Sequence, residues 1–163
     1  MPDMPRGRKH PVHLPMVERF NEPVIVFLTV CTKNRKCILA EPEVVELLRD
    51  AWREATNWLV GRFVIMPDHV HLFCAPNGRG TKGAVPCRPV GQWVRYWKTL
   101  ASRRWPRPEE QPLWQLDFWD TQLRQVAHYD EQWEYVRQNP VRAGLAATPE
   151  AWPHQGEIND LRW

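Results

Sequence analysis

The stretch Phe63-Val64-Ile65-Met66-Pro67-Asp68-His69-Val70-His71-Leu72-Phe73-Cys74 decides the fold. Both its ends are apolar, and β-branched side chains, which pack well on a pleated and half-buried surface, recur through them. Between the two apolar runs stand Met66-Pro67-Asp68. Proline presets φ and aspartate tolerates turn geometry, so these residues predict a tight turn. The reading is a buried hairpin with both histidines at the start of its second strand. Side chains alternate faces along a strand, so His69 and His71 share a face. Two imidazoles on one sheet face are half of a divalent-metal site. The plainer alternative is a pair of solvated or hydrogen-bonded histidines, which chance supplies often enough in a chain with six.

Working outward, Val24 to Val30 reads as a buried strand. Pro42 suits the first turn of a helix, with Glu41, Glu43 and Glu46 favourably near its amino end. Val44, Leu48, Trp52, Ala55 and Leu59 recur there at helical spacing and predict one core face. After the hairpin, residues 76–89 hold several glycines and prolines and read as a loop. Val90, Trp93, Val94, Trp97, Leu100 and Ala101 mark a second amphipathic helix, with Arg95, Lys98 and Arg103 on its other side. A Pro/Glu loop over 106–113 leads to a short candidate strand, Leu113 to Phe118, and then a last helix. The order strand-helix-hairpin-helix-strand is the ferredoxin-like split βαβ pattern. It predicts an α+β fold, an antiparallel sheet with helices on one face and the other face free to hold nucleic acid. Such a fold hosts many activities and does not by itself name one.

The last helix carries the second informative stretch, Tyr135-Val136-Arg137-Gln138-Asn139-Pro140-Val141-Arg142-Ala143-Gly144-Leu145. His128 to Asn139 lacks glycine and proline and reads as helical. Residues four apart share a helix face, so Tyr135 and Asn139 are neighbours. Pro140 disfavours helical geometry at Asn139, so the helix is expected to end there. The Asn139 amide oxygen then projects from a helix terminus, as a metal ligand or as a plain C-terminal cap. Tyr135 is correspondingly a reactive hydroxyl or half-buried packing. Tyr96 has no candidate ligand at helical spacing, and Tyr129, six residues earlier, faces another direction from Tyr135.

Composition bounds these readings. The 163 residues suit one domain, with 1–22 as a flexible basic arm, 23–152 as the folded domain and 153–163 as a tail. The net charge of +3 is compatible with nucleic acid without selecting it. Arg6, Arg8 and Lys9 cluster in the arm, and Arg95, Lys98, Arg103, Arg104 and Arg107 in the middle, as phosphate contacts or as solvated faces. Cys31, Cys37, Cys74 and Cys87 show no CxxC spacing, and Cys31 and Cys74 lie in apolar runs where a reduced thiol acts as a small hydrophobe. No segment is apolar and long enough to span a membrane and no signal-peptide pattern opens the chain, so the cytoplasm is the expected compartment.

His69-Val70-His71 in its Met-Pro-Asp-His-Val-His context, followed by Tyr135-x-x-x-Asn139-Pro140-Val141-Arg142-Ala143-Gly144-Leu145, resembles the single-tyrosine HUH transposases. Within these it is most similar to the REP-associated tyrosine transposases, relatives of the insertion-sequence-200-type enzymes. Trp114-Gln115 through Phe118-Trp119-Asp120 and Arg124 also resemble that family's block ahead of the catalytic helix. The likeness covers roughly residues 23 to 152. It implies Tyr135 as nucleophile and His69, His71 and Asn139 as ligands of a divalent metal, magnesium or manganese. It implies single-stranded or hairpin DNA as partner, a 5′-phosphotyrosyl intermediate, and a monomer or homodimer. Arg95, Lys98, Arg103, Arg104, Arg124 and Arg142 are the residues expected to hold DNA. The chemistry is coherent, because a tyrosine hydroxyl with an ordinary pKa of about 10 must be positioned and deprotonated to attack phosphorus. A tyrosyl ester also conserves the phosphodiester energy for rejoining. The rivals are a non-catalytic nucleic-acid-binding module of the same fold and a metal-dependent phosphoesterase using water. A replication initiator of the same superfamily is a nearer one, but its usual helicase domain does not fit in this length.

Overall fold

The structure, a computed structural model, describes residues 11, 13, 24–78 and 88–162. Arg6, Arg8 and Lys9 of the expected arm, and Cys87 with most of the expected 76–89 loop, lie outside the described residues. Among the described residues five strands and four α-helices follow one another as β1 (Ile25–Cys31), α1 (Pro42–Glu54), β2 (Trp58–Met66), β3 (His69–Pro76), α2 (Val90–Arg103), β4 (Trp119–Leu123), α3 (Val126–Arg137), α4 (Asn139–Arg142) and β5 (Gln155–Glu157). All pairings are antiparallel, in the order β4-β1-β3-β2-β5. The first four strands make the split βαβ sheet that the element order predicts, and β5 extends its β2 edge. No described helix is long and apolar enough to cross a membrane.

The central hairpin forms with Met66 opposite His69, leaving Pro67 and Asp68 as its turn. Alternation then sorts the side chains. Val26, Leu28, Val30, Phe63, Ile65, Val70 and Leu72 face α1 and α2, where they meet Val44, Leu48, Trp52, Trp93 and Trp97. Tryptophans fill this layer edge to face: Trp97 lies 5.9 Å from Trp52 and 5.5 Å from Trp114 between ring centroids. Two of the indole N–H groups donate to carbonyls, Trp93 to Ala55 and Trp58 to Arg88. Cys31 and Cys74 are buried free thiols, as their apolar runs imply.

The opposite face is not bare. Ile25, Phe27, Val64, Phe73 and Leu123 pack there against Tyr129 and Val136 of α3 and against Trp152. The face expected to lie free for nucleic acid is therefore covered in part, and His69 and His71 sit on it beside that cover. Three boundaries also differ from expectation. Leu113 to Phe118 is not a strand: Trp114 forms one bridge to Thr32, Leu116 turns fully outward, and β4 begins only at Trp119. The last helix runs Val126–Arg137, and Asn139 opens α4 instead of closing α3. Pro140 explains this, because a residue without an N–H is tolerated in a first helical turn but not in a helix interior. Leu59 belongs to β2, since α1 has already ended at Glu54.

Candidate active site

Register builds the histidine site. His69 lies opposite Cys31 and His71 opposite Thr29 on β1, while Met66 and Val64 flank them from β2. Both imidazoles are buried, His71 completely, with ring centroids 4.7 Å apart and planes nearly perpendicular. Phe27 stacks on His71 at 5.3 Å. Each ring uses one nitrogen inside the protein: Nδ1 of His71 bonds the Thr29 hydroxyl at 2.9 Å, and Nδ1 of His69 donates to Asp68 Oδ1 at 2.7 Å. The two Nε2 atoms are buried with no protein partner among the described residues. An imidazole that donates through one nitrogen and keeps a lone pair on the other is the form in which proteins present metal ligands.

Electrostatics favour the same state. Burial pushes both imidazoles below their ordinary value of 6.5, and for His71 the neighbouring His69, Arg142 and Arg35 add to the effect. Both are therefore neutral donors at pH 7. Burial also pushes the Asp68 carboxyl up, but the bond from His69 and the charge of Arg35 outweigh it and hold Asp68 at about 2. A stability prediction follows. The unfolded chain protonates these histidines below pH 6.5 while the folded chain resists, so the unfolded state binds more protons there. Their contribution is fully present above 6.5 and is lost as pH falls from 6.5 toward the lower folded values; His154, also depressed by burial, has the same sign. His13, raised by Asp120 and Asp117, acts oppositely, losing its contribution as pH rises above 6.5, but it is largely exposed. The urea midpoint should be lower at pH 5 than at pH 7.5; an equal or higher midpoint at pH 5 contradicts neutral buried histidines.

The other candidate residues lie on α3 and α4. Asn139 is buried, its Oδ1 accepts from Arg142 Nη2, and its Nδ2 is buried with no partner among the described residues. The same Nη2 donates to the Tyr135 carbonyl at 2.8 Å, and the guanidinium lies 4.0 Å over the Tyr135 ring. Tyr135, Arg142 and Asn139 thus form one unit, and the charge of Arg142 is felt by His71. Tyr135 is 44% exposed, on a shallow groove with Thr121, Arg124, His128 and Gln132. Tyr129 is packing, buried edge-on against Phe73 with burial pushing its phenol up to about 12. Tyr96 is on α2, in the other layer. Among the described residues no three His, Cys, Asp or Glu side chains cluster as a metal site. The open donors are the two imidazole Nε2 atoms, and the Asn139 carboxamide oxygen is held by Arg142. That set leaves a cation most of its charge, and the buried unpartnered Nε2 atoms fit it.

No family model matches the chain. An Escherichia coli protein named REP-associated tyrosine transposase is 22% identical over 135 residues, covering 78% of this chain and 72% of its own length. A Haemophilus influenzae protein provisionally given the same name is 24% identical over 109 residues, 60% of this chain, and the match spans only 58% of that relative. A solved structure of a REP-associated tyrosine transposase bound to a REP hairpin shares the fold, with a TM-score of 0.65, 20% identity, and coverage of 87% of this chain and 82% of that one. The chain is thus similar in sequence to proteins named REP-associated tyrosine transposase and similar in fold to one of them. A Deinococcus radiodurans structure, provisionally described as a transposase, has a TM-score of 0.50 at 20% identity over 77% of this chain and 98% of that one.

The central basic cluster divides. Arg95 and Arg103 are exposed on a cleft of about 900 Å³ between α2 and the 111–118 segment. Lys98 borders that cleft but is buried; its ammonium donates to the Gln115 carbonyl at 3.0 Å, and burial draws it down to about 8. Arg104 pairs with Glu54 at 2.5 Å. Arg107 pairs with Glu110 and Glu41. Sequence reasoning overlooked Thr29 and saw Asp68 only as a turn residue. Asp68 was available as a signal, a carboxylate directly before a histidine; Thr29 becomes meaningful only once register sets it opposite His71.

Proposed function

We propose that the chain cleaves and rejoins single-stranded DNA beside a hairpin, as a transposase does, with Tyr135 as nucleophile and His69, His71 and Asn139 as ligands of magnesium or manganese. The observation that carries this reading is the pair of buried Nε2 atoms, unpartnered among the described residues, on the sheet face against which α3 packs, with a half-exposed tyrosine on α3 held by Arg142. The REP hairpin bound in the similar solved structure agrees with the substrate class. A divalent ion, when bound, polarises the non-bridging phosphate oxygens. Everything else falls to side chains of this chain. Asp68 and Thr29 hold the histidine tautomers. Arg142 fixes the Tyr135 ring from its face and its backbone from the side. Arg95, Arg103 and Arg124 are exposed cations that would meet the phosphate backbone. Lys98, buried on the Gln115 carbonyl, shapes that surface, and Arg104 is exposed but paired with Glu54.

In the reaction, Tyr135 Oη bonds to phosphorus and the bond from phosphorus to the 3′-oxygen breaks. The phenolic proton leaves to solvent, and the departing 3′-oxygen takes one up. The 5′-phosphate stays on tyrosine, and a 3′-hydroxyl can reverse the step. The compartment of this reading is the cytoplasm, and the active form is a monomer or a homodimer. The test uses hairpin DNA with single-stranded flanks, labelled separately at each end, incubated with manganese and boiled in detergent. The 3′-labelled fragment should comigrate with protein and the 5′-labelled fragment should not. Attachment to the 5′-labelled fragment overturns the polarity. Turnover without any adduct indicates hydrolysis by water, and binding without cleavage indicates a DNA-binding module.

A further inference from the structure

We propose that Arg35 is a positioning residue for His69: its guanidinium anchors the Asp68 carboxylate, and Asp68 in turn aims His69. The inference rests on the reading of His69 as a metal ligand. It starts from an asymmetry. The hydrogen-bond partner of His71 is Thr29, fixed on the neighbouring strand by sheet register. The partner of His69 is Asp68, a turn residue whose side chain no strand pairing holds. Left to its own rotamers, Asp68 orients nothing.

Arg35 supplies the missing anchor. Its Nε donates to Asp68 Oδ2 at 2.8 Å, while Oδ1 of the same carboxylate takes the His69 bond at 2.7 Å. One planar fork thus holds one oxygen so that the other stays on the imidazole. Nη1 contacts the Cys31 sulfur at 2.9 Å, and Nη2 lies 3.5 Å from His69 Nδ1. Three sides of the guanidinium are occupied, which does not describe a side chain waiting for a phosphate.

The backbone points the same way. Asn34 and Arg35 both have positive φ, 57° and 55°, and neither is glycine. Left-handed backbone at two successive such residues is strained, and strain of this kind persists where surrounding contacts fix it. Thr32 fixes it here: its N–H and hydroxyl both donate to the Asp68 carbonyl, and its hydroxyl also reaches the Lys36 carbonyl. The turn after β1 is therefore tied to the hairpin turn by backbone and side chain together, and the fold turns Arg35 back onto Asp68.

The experiment compares Arg35→Gln, Arg35→Lys, Asp68→Asn and the double variant Arg35→Gln/Asp68→Asn in the full chain. Manganese affinity is read by electron paramagnetic resonance of the free ion, without DNA. Affinity for a fluorescent hairpin oligonucleotide is read in EDTA, and folding by thermal melting. Loss of an outer hydrogen-bond partner of a ligand costs roughly 10–100-fold in metal affinity; Asp68→Asn should fall in that range, and Arg35→Gln, which acts one bond further out, near its lower end. Arg35→Lys should recover part of it, because a point charge holds the carboxylate less well than a fork. The double variant should be no weaker than Asp68→Asn, since both act through one carboxylate. Hairpin affinity in EDTA should stay at the wild-type level throughout. Unchanged manganese affinity in folded Arg35→Gln, additive losses in the double variant, or lost hairpin binding in EDTA each overturn the assignment. If Arg35→Gln does not fold, Arg35→Lys and Asp68→Asn decide: equal-to-wild-type affinity in both overturns it. A wild-type chain that binds no manganese overturns the metal site itself, a different result from a wild type that binds and an Arg35 variant that does not care.

Discussion

Tyr135→Phe is expected to abolish the covalent protein–DNA adduct while leaving hairpin binding intact. The substitution removes one oxygen from a side chain that is 44% exposed, so no buried partner is orphaned and folding should be unaffected. The ring stays, and with it the contact from Arg142 over its face. Only the attacking atom is lost. Removing a nucleophile from an organised site lowers turnover by roughly 10⁴–10⁶-fold, and no second hydroxyl of the same kind is placed to replace it. Tyr129 is committed to packing on Phe73, and Tyr96 lies on α2 in the other layer. Tyr96→Phe and Tyr129→Phe should therefore retain the adduct. The measurement is the detergent-stable adduct formed with end-labelled hairpin DNA and manganese, beside an affinity titration of each variant. An adduct that survives in Tyr135→Phe rules out this nucleophile. Cleavage that survives with no adduct assigns the attack to water.

The fold was legible because its elements carry separate periodicities. The apolar, β-branched runs around Met66-Pro67-Asp68 pointed to a hairpin, and the Val90 to Ala101 pattern to an amphipathic helix; both formed as expected. What failed were places where tertiary pairing overrides local pattern. Trp114 looks like strand but anchors as indole against Trp97, so its segment bridges once to β1 and then turns out. Asn139 looks like the end of a helix, yet the proline after it opens a new turn in which its carboxamide is buried. The coverage of the second sheet face was likewise hidden, because α3 has a weak apolar stripe and uses Tyr129 and Val136 as its buried contacts. For the site, sequence spacing was enough to put His69 and His71 on one face. It could not supply Thr29, Arg35 or the contact between Arg142 and Tyr135, which exist only through strand register, two left-handed residues and the chain reversal after α3.

His71→Ala should remove manganese binding and adduct formation together, and it separates a metal site from a buried structural histidine. Two effects compete in this variant. One is structural: the Thr29 hydroxyl loses its partner and Phe27 loses its stacked neighbour, at a cost of about 1–3 kcal/mol for an unsatisfied buried group and a small cavity. The other is loss of a donor whose Nε2 has no other use inside the protein. Loss of an outer partner alone costs roughly 10–100-fold in metal affinity, so loss of the ligand itself should exceed that. The structural cost is read by thermal melting and the second effect by manganese titration of the folded fraction, so the two are separable. His71→Gln sharpens the comparison. It refills much of the volume, and its amide oxygen is an acceptable ligand for a hard cation. Gln should then restore stability and recover part of the manganese affinity, with hairpin binding in EDTA the same in all three proteins. If both variants bind manganese and form adduct as the wild type does, the buried Nε2 atoms serve no ion. The sheet face would then be a surface that carries DNA without metal, and Tyr135 would need another explanation for its place beside it.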